Sequence, residues 1–336
     1  MGRDKQEKRA RGADAVPASA CRRLAKRAAL LLLASVLLVG CSTDRDPSEF
    51  FAPNDVGTLV IDGLLMVGKP LPQVTMTRVL SPEVAYTPEA SAEPGATITV
   101  QVLPDGPEVS YIESSQPGVY RPERVPTLTV EPRTSYRLRA VSTRGEVVQA
   151  QTMTPDSLQV DAWLLLDPVD LTVVRELRTY EALGDSVYFA PENQLVYAEG
   201  LLEARFARPD VDAFQLGVFS LDPDSDFVIE PEFFEEDDFD QIDRQGSSPA
   251  LEALEGSVRL PWFAIFFQGR YKYKILALDR NAYDLVRSIP QNDSGFSFGN
   301  NLGGNFERPI FHVEGGIGLF GSASADSVGF FIRPRP

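Results

Sequence analysis

Thr97-Ile98-Thr99-Val100-Gln101-Val102 alternates polar and apolar residues, and β-branched side chains fill five of its six positions. A period of two puts Ile98, Val100 and Val102 on one face of an extended chain, which is the pattern of a half-buried antiparallel strand. Pro104-Asp105-Gly106 after it and Pro117-Gly118 beyond supply turn chemistry. The pattern recurs in both directions: at Gly57-Thr58-Leu59-Val60-Ile61-Asp62-Gly63, Val74 to Val79, Ser135 to Val141 and Val147 to Thr152. So many short strands between Pro/Gly turns predict a mainly β chain with an immunoglobulin-like β-sandwich over 57–155.

Thr154-Pro155-Asp156 is the expected boundary to a second β-rich domain, 156–336. Strand-like runs continue there at Leu195–Phe206, Ala213–Leu221, Val258–Phe267, Tyr271–Leu278 and Val328–Ile332. One short helix is predicted from Asp279 to Ile289. Asp279 can cap it, Ala282, Leu285, Val286 and Ile289 form an i, i+3, i+4, i+7 stripe, and Pro290 stops it. No repeat of fixed period is present.

The chain has 336 residues with 43% hydrophobic and 24% charged, which excludes collagen-like, wholly disordered and polytopic membrane classes. Its net charge of −16 averages two unlike pieces. Residues 1–40 carry nine Lys/Arg and three Asp/Glu, so residues 41–336 hold 23 basic and 45 acidic groups, a net of −22. Within 1–40 a basic run precedes the apolar stretch Ala28 to Val39 and then Gly40 and Cys41, the layout of a secretory signal. As a helix that stretch rises ~18 Å, short of the ~30 Å hydrocarbon core of a bilayer. Leu38-Val39-Gly40-Cys41 resembles a bacterial lipobox, in which the Cys thiol takes a diacylglycerol thioether and the freed amine takes a further acyl chain such as palmitate. Several acyl chains anchor stably, because each buried CH₂ contributes ~0.8 kcal/mol. The only other cysteine, Cys21, lies in the segment to be removed, leaving the mature chain one thiol and no internal disulfide. Ser42, in place of the Asp that marks inner-membrane retention, favours the outer membrane. Residues 41–56 are expected to be a flexible tether from the lipid.

The acidic excess argues against nucleic acid or anionic headgroups as partners. The mature chain is also lysine-poor, with Lys69, Lys272 and Lys274 against twenty arginines. His312 is the single histidine, which excludes any site built on two imidazoles, and its neighbours Ile310, Phe311 and Val313 read as a strand around a structural histidine. Gly316-Ile317-Gly318-Leu319-Phe320-Gly321 spells G-x-G-x-x-G, but only fifteen residues follow it and Ser-Ala-Ser-Ala-Asp-Ser is a poor helix start, so close strand packing explains the glycines better than a dinucleotide. Asp222, Asp224 and Asp226 are weak candidates for a hard cation, since Phe227 and Phe233 stand where an EF-hand loop needs Gly and Glu. The run from Glu230 to Asp240, with Phe233, Phe234 and Phe239 among its carboxylates, reads as a solvated loop or a docking segment. No cofactor site is expected. A carboxylate pair of the glycosidase kind is the enzyme hardest to exclude among so many acids.

The stretch Tyr283-Asp284-Leu285-Val286-Arg287-Ser288, the Asn300-Asn301-Leu302-Gly303-Gly304 loop and Val313 through Gly321 together resemble a lipoprotein family catalogued as domain of unknown function 4249. Val60-Ile61-Asp62-Gly63, Pro94 through Val100, Pro117-Gly118-Val119-Tyr120 and Ser135-Tyr136-Arg137-Leu138 add weaker matches. The resemblance implies an outer-membrane lipoprotein with a sandwich domain first, often encoded beside a TonB-dependent transporter, and it brings no catalytic residues. The expectation is a non-enzymatic lipoprotein that binds a nutrient or assists such a transporter. A structural or adhesive surface lipoprotein is the alternative, and a carboxylate-dependent hydrolase comes third.

Overall fold

The computed structural model describes residues 56–124, 128–207, 213–228, 243–252, 256–260, 262, 265–288 and 309–334. The lipobox with Cys41, the tether up to residue 55, the acidic run 229–242 and the Asn300–Gly304 loop lie outside them.

The chain is mainly β. The first half gives β1 (Leu59–Met66), β2 (Val74–Arg78), β3 (Thr97–Val102), β4 (Glu108–Glu113), β5 (Val119–Pro122), β6 (Ser135–Val141) and β7 (Val147–Met153), with one helical turn, α1 (Pro88–Ser91). The second gives β8 (Ala162–Leu166), β9 (Val173–Glu176), the turn α2 (Tyr180–Leu183), β10 (Gln194–Val196), β11 (Leu201–Arg205), β12 (Ala213–Ser220), β13 (Gln245–Ser247), β14 (Leu251–Glu252), β15 (Ser257–Leu260) and β16 (Gly269–Leu278). The helix α3 (Arg280–Ser288) follows where its cap and stripe predict it, then β17 (Val313–Glu314) and β18 (Ile317–Arg333).

β18 organises the molecule. Its first part pairs in parallel with β1, Val60 against Ile317 through Met66 against Ala323. Its second part pairs antiparallel with β16 from Ala323 to Ile332, while β10 joins at Phe331 to Arg333. In the first half the ladder runs β1, β2, β5, β4, β3, β6, β7, β17. Since β17 continues through Gly315 and Gly316 into β18, which pairs β1, the circuit closes on itself around a core of Ile61, Met76, Val100, Tyr120, Leu138 and Phe320. A second core, with Trp163, Leu202, Phe214, Tyr273, Phe330 and Ile332, lies where the four-stranded sheet β15-β11-β8-β9 faces the large one. The two cores fall on either side of residue 156, yet Val56–Pro336 is one compact unit, because β18 supplies side chains to both.

Between its contributions to the two cores β18 reads Gly321-Ser322-Ala323-Ser324-Ala325. Small side chains there let α3 lie on the strand: Leu278, Ala282 and Ala323 form a small third cluster, and a Cβ at Gly321 would come within 3.2 Å of the Ala282 nitrogen. The expected final strand, Val328–Ile332, is thus the end of a much longer one. Two expected strands are shorter than their patterns. Leu195–Phe206 breaks into β10 and β11, because Ala198 sits at φ +56° and Gly200 packs against the Leu166 carbonyl. β15 stops at Leu260, ahead of Pro261, which has no N–H for a ladder. No described helix is long and apolar enough to cross a membrane.

The glycines of the G-x-G-x-x-G stretch are packing glycines. Gly318 has φ +112°, and a Cβ there would sit 2.1 Å from the Ile61 carbonyl oxygen. Gly318→Ala should therefore destabilise by roughly 3 kcal/mol, combining backbone strain with overpacking. Gly145→Ala, at φ +83° with open space around the site, should cost about 1 kcal/mol. Urea unfolding midpoints of the two variants check the contrast, and equal losses would refute the close-approach reading.

Candidate functional site

The chain exits β7 through Thr154-Pro155-Asp156 beside the start of β6 and the start of α3, and these three pieces do not fill the space between them. The resulting hollow is ≈ 780 Å³, lined by Arg133, Gln151, Thr152, Met153, Asp279 and Arg280 among others. A second hollow of ≈ 440 Å³ lies along β7 against Phe311, His312 and Glu314. Gln151 and Asn281 belong to both. The Asn281 side-chain amide donates to the Gln151 carbonyl (2.6 Å) and the Phe320 carbonyl (2.8 Å), tying helix, β7 and β18 together at the divide.

Asp279 forms the floor of the larger hollow. Its Oδ1 accepts from the Ala282 N–H at 2.9 Å, the N-cap bond that the sequence predicts. Its other oxygen accepts from the Thr152 hydroxyl, which in turn lies 2.9 Å from Ser322 Oγ. Burial pushes the Asp279 carboxyl above its ordinary value, and these hydrogen bonds only partly offset that. Five residues on, Asp284 behaves in the opposite way. Burial acts to raise it, but Arg287 Nε (2.8 Å), His312 Nε2 (2.8 Å) and Arg280 Nε (2.9 Å) all reach its carboxylate and hold it below its ordinary value. Two aspartates on one helix are thereby given opposite proton affinities, one by burial and one by its cations.

The His312 ring bonds Asp284, and of the neighbours expected to form a strand around it only Val313 does, in β17, while Ile310 and Phe311 lie outside any strand. The nearby Ser288 hydroxyl donates to the Asp284 carbonyl at 2.6 Å and accepts from the Ile310 N–H at 2.8 Å, so it serves the backbone and no described Ser–His–Asp relay forms. Asp222 is held by Arg270, whose Nε (2.8 Å), terminal nitrogen (2.6 Å) and backbone N–H (2.7 Å) bond its two oxygens. Gly269 makes room for this, since a Cβ there would meet Asp222 Oδ2 at 2.4 Å. Burial would raise the Asp222 carboxyl, and the Arg270 bonds outweigh it and lower it. Asp224 and Asp226 stay exposed on the same turn, and among the described residues no group of three His, Cys, Asp or Glu could hold a metal ion.

The sequence reading misses Arg133, Gln151, Thr152 and Asn281, which carry no motif and converge only in space. It also misses Gly295-Phe296-Ser297-Phe298-Gly299, which spells G-x-S-x-G outside the described residues. A nucleophile elbow needs a strand before it and a helix after it. Here helix α3 precedes the motif and β17 is the next described element, which is the reverse order.

The profile of the family described as domain of unknown function DUF4249 matches residues 45–328. The chain belongs to this family. No curated protein matches it. Among solved structures, the crystal structure of chicken CNTN1 FN1-FN3 domains is similar at 13% identity, over 84% of this chain and 69% of that one, with a TM-score of 0.22. In this DUF4249 chain the larger hollow can accept a polar small molecule, with arginine, amide and hydroxyl donors around one buried carboxyl.

The opposite shifts of the two aspartates predict a pH signature. A raised folded value for Asp279 contributes stability at low pH that is lost as pH climbs from the ordinary carboxylate value of 3.8 through the raised one. The depressed Asp284 contributes stability above that ordinary value that is lost as pH falls through its folded value. Asp279→Asn should therefore gain on wild type as pH rises from about 4 to 7. Asp279→Ala should lose about 1 kcal/mol of capping throughout. Urea midpoints across that range check both, and parallel curves for wild type and Asp279→Asn would refute the assignment.

Proposed function

We propose that this chain is an outer-membrane lipoprotein, anchored through Cys41, that binds a nutrient or assists a TonB-dependent transporter without catalysing a reaction. The observation that carries the reading is Leu38-Val39-Gly40-Cys41 at the end of a basic and then apolar leader, with Cys41 the single thiol that the mature chain keeps. Ser42 supports the outer membrane as the destination. The transporter association rests on what the family resemblance implies. The hollow beside α3 supports the binding role, since its volume falls within the ~300–1,000 Å³ of small-molecule pockets. Its one buried carboxyl, Asp279, is occupied as a helix cap, which favours binding over hydrolysis.

Cys41→Ala should leave a longer, unlipidated precursor that no longer partitions with membranes, read by intact mass and detergent phase separation. Normal processing and membrane retention of that variant would refute the anchor. Cross-linking of the native protein in its membrane should recover a transporter component. Its absence under conditions that preserve outer-membrane complexes would remove the accessory role.

A further inference from the structure

The three lysines that follow Cys41 gather in one place. Lys272 and Lys274 are two residues apart on β16, on its outward face, so their Cα atoms are ~7 Å apart. Lys272 is level with Gly329 and Lys274 with Ser327 on β18. On the far side of β18, β1 ends with Met66 level with Ala323, and the chain continues through Val67 and Gly68 to the exposed Lys69. Burial and then the charges of Lys272 and Lys69 all depress the Lys274 ammonium.

Aromatic rings border them on both sides. Gly217 on β12 is level with Lys274, and the Phe219 ring lies over it, within 2.9 Å of where a Cβ would stand. A Cβ at Gly329 would meet Tyr180 Oη at 2.7 Å and the Tyr188 ring at 2.8 Å, so these tyrosines lie directly on the sheet. Lys272 Nζ stands 5.0 Å from the Tyr180 ring centroid. The charges nearest those tyrosines are Arg270, already paired with Asp222, and Asp185, which bears on Tyr180, Tyr188 and Arg270.

The cluster sets three like charges together without counter-ions. Among the described residues every Lys/Arg–carboxylate ion pair is made by an arginine, and Lys69, Lys272 and Lys274 make none. Three ammonium groups left together in a chain of net −22 repel one another where 45 carboxylates were available to separate them. Arginine's planar fork suits carboxylates, whereas a lysine is a compact point charge that serves phosphate well. We propose that this lysine cluster binds a small soluble molecule through a phosphate-type oxyanion, with Lys272 and Lys274 as direct ligands and Lys69 beside them. The acidic remainder of the surface disfavours an anionic bilayer as the source of that group.

Amine labelling reads this site directly, because the mature chain has no other lysine. Trinitrobenzenesulfonate labelling of the purified full-length protein, resolved by peptide mass, should modify Lys274 fastest at neutral pH. Inorganic phosphate or pyrophosphate should protect Lys272 and Lys274, and succinate should protect them less. Lys272→Gln should weaken protection of Lys274 about tenfold, the worth of one charge-assisted hydrogen bond, with a urea midpoint at or above the wild-type one showing that the fold is intact. Unprotected lysines at millimolar pyrophosphate would overturn the proposal. Protection by phosphatidylglycerol vesicles but by neither soluble anion would overturn the small-molecule assignment. The same maps report the leader separately, since labelled Lys5, Lys8 and Lys26 appear only if it is retained, so failure of the anchor and failure of this site are distinguishable.

Discussion

A strand that borders two hydrophobic cores cannot carry one pattern of side chains along its length, and β18 shows how the conflict is resolved. At its start it runs parallel to β1 so closely that Gly318 leaves no room for a Cβ against the Ile61 carbonyl. Phe320 then enters the first core, and Val328, Phe330 and Ile332 enter the second. The interval between is built of Gly, Ser and Ala, which contribute little apolar burial but leave room for a helix. α3 occupies that interval. Its cap, Asp279, bonds Thr152 of β7, and its Asn281 bonds the carbonyls of Gln151 and Phe320. The helix is thus fastened to both halves, and the hollows beside it exist because a helix cannot fill the corner left between two strand ends.

Charge is distributed with the same economy. Arginines serve as structural connectors: Arg78 reaches Glu93 and Glu146, Arg259 and Arg205 share the buried Glu203, and Arg270 holds Asp222. Buried or half-buried acids are thereby provided with partners, which matters because an unpaired buried charge is strongly destabilising. Glu203 is an example: burial raises it, yet its two arginines bring it below its ordinary value. Among the fully buried described acids, Asp279 is the one without a cation, and it relies on hydroxyl and backbone donors.

The strands of the first half were legible because one face is apolar and the other wet, so alternation survives in the sequence. The helix was legible because cap, stripe and stop are all local. β18 was legible only at its end, since Ser-Ala-Ser-Ala offers no apolar contrast, and its parallel pairing joins Val60 to Ile317, a partner that no local window contains. The glycines of Gly316 to Gly321 could be read as packing residues because Ser-Ala-Ser-Ala-Asp-Ser after them is a poor helix start, although not which backbone they touch. The hollow was not legible, because Arg133, Gln151 and Asn281 come from three separated elements and none belongs to a spaced motif. His312 and Asp284 lie 28 residues apart, and their contact follows from where the chain returns after α3 rather than from any pattern in either segment.

Composition was more informative than motifs about the surface. A count of three lysines against twenty arginines suggested only a bias in residue choice. Placed on the fold, every described Lys/Arg–carboxylate ion pair falls to an arginine, while the lysines are collected beside β18 without one. Like charges at close range disfavour the folded state unless something else offsets them, and the nearest arginine, Arg270, is already committed to Asp222. An external anion is the simplest group that turns this local repulsion into attraction. The same sheet that presents Gly329 to two tyrosines also leaves the lysines beside that aromatic wall, so charge and shape converge at one place.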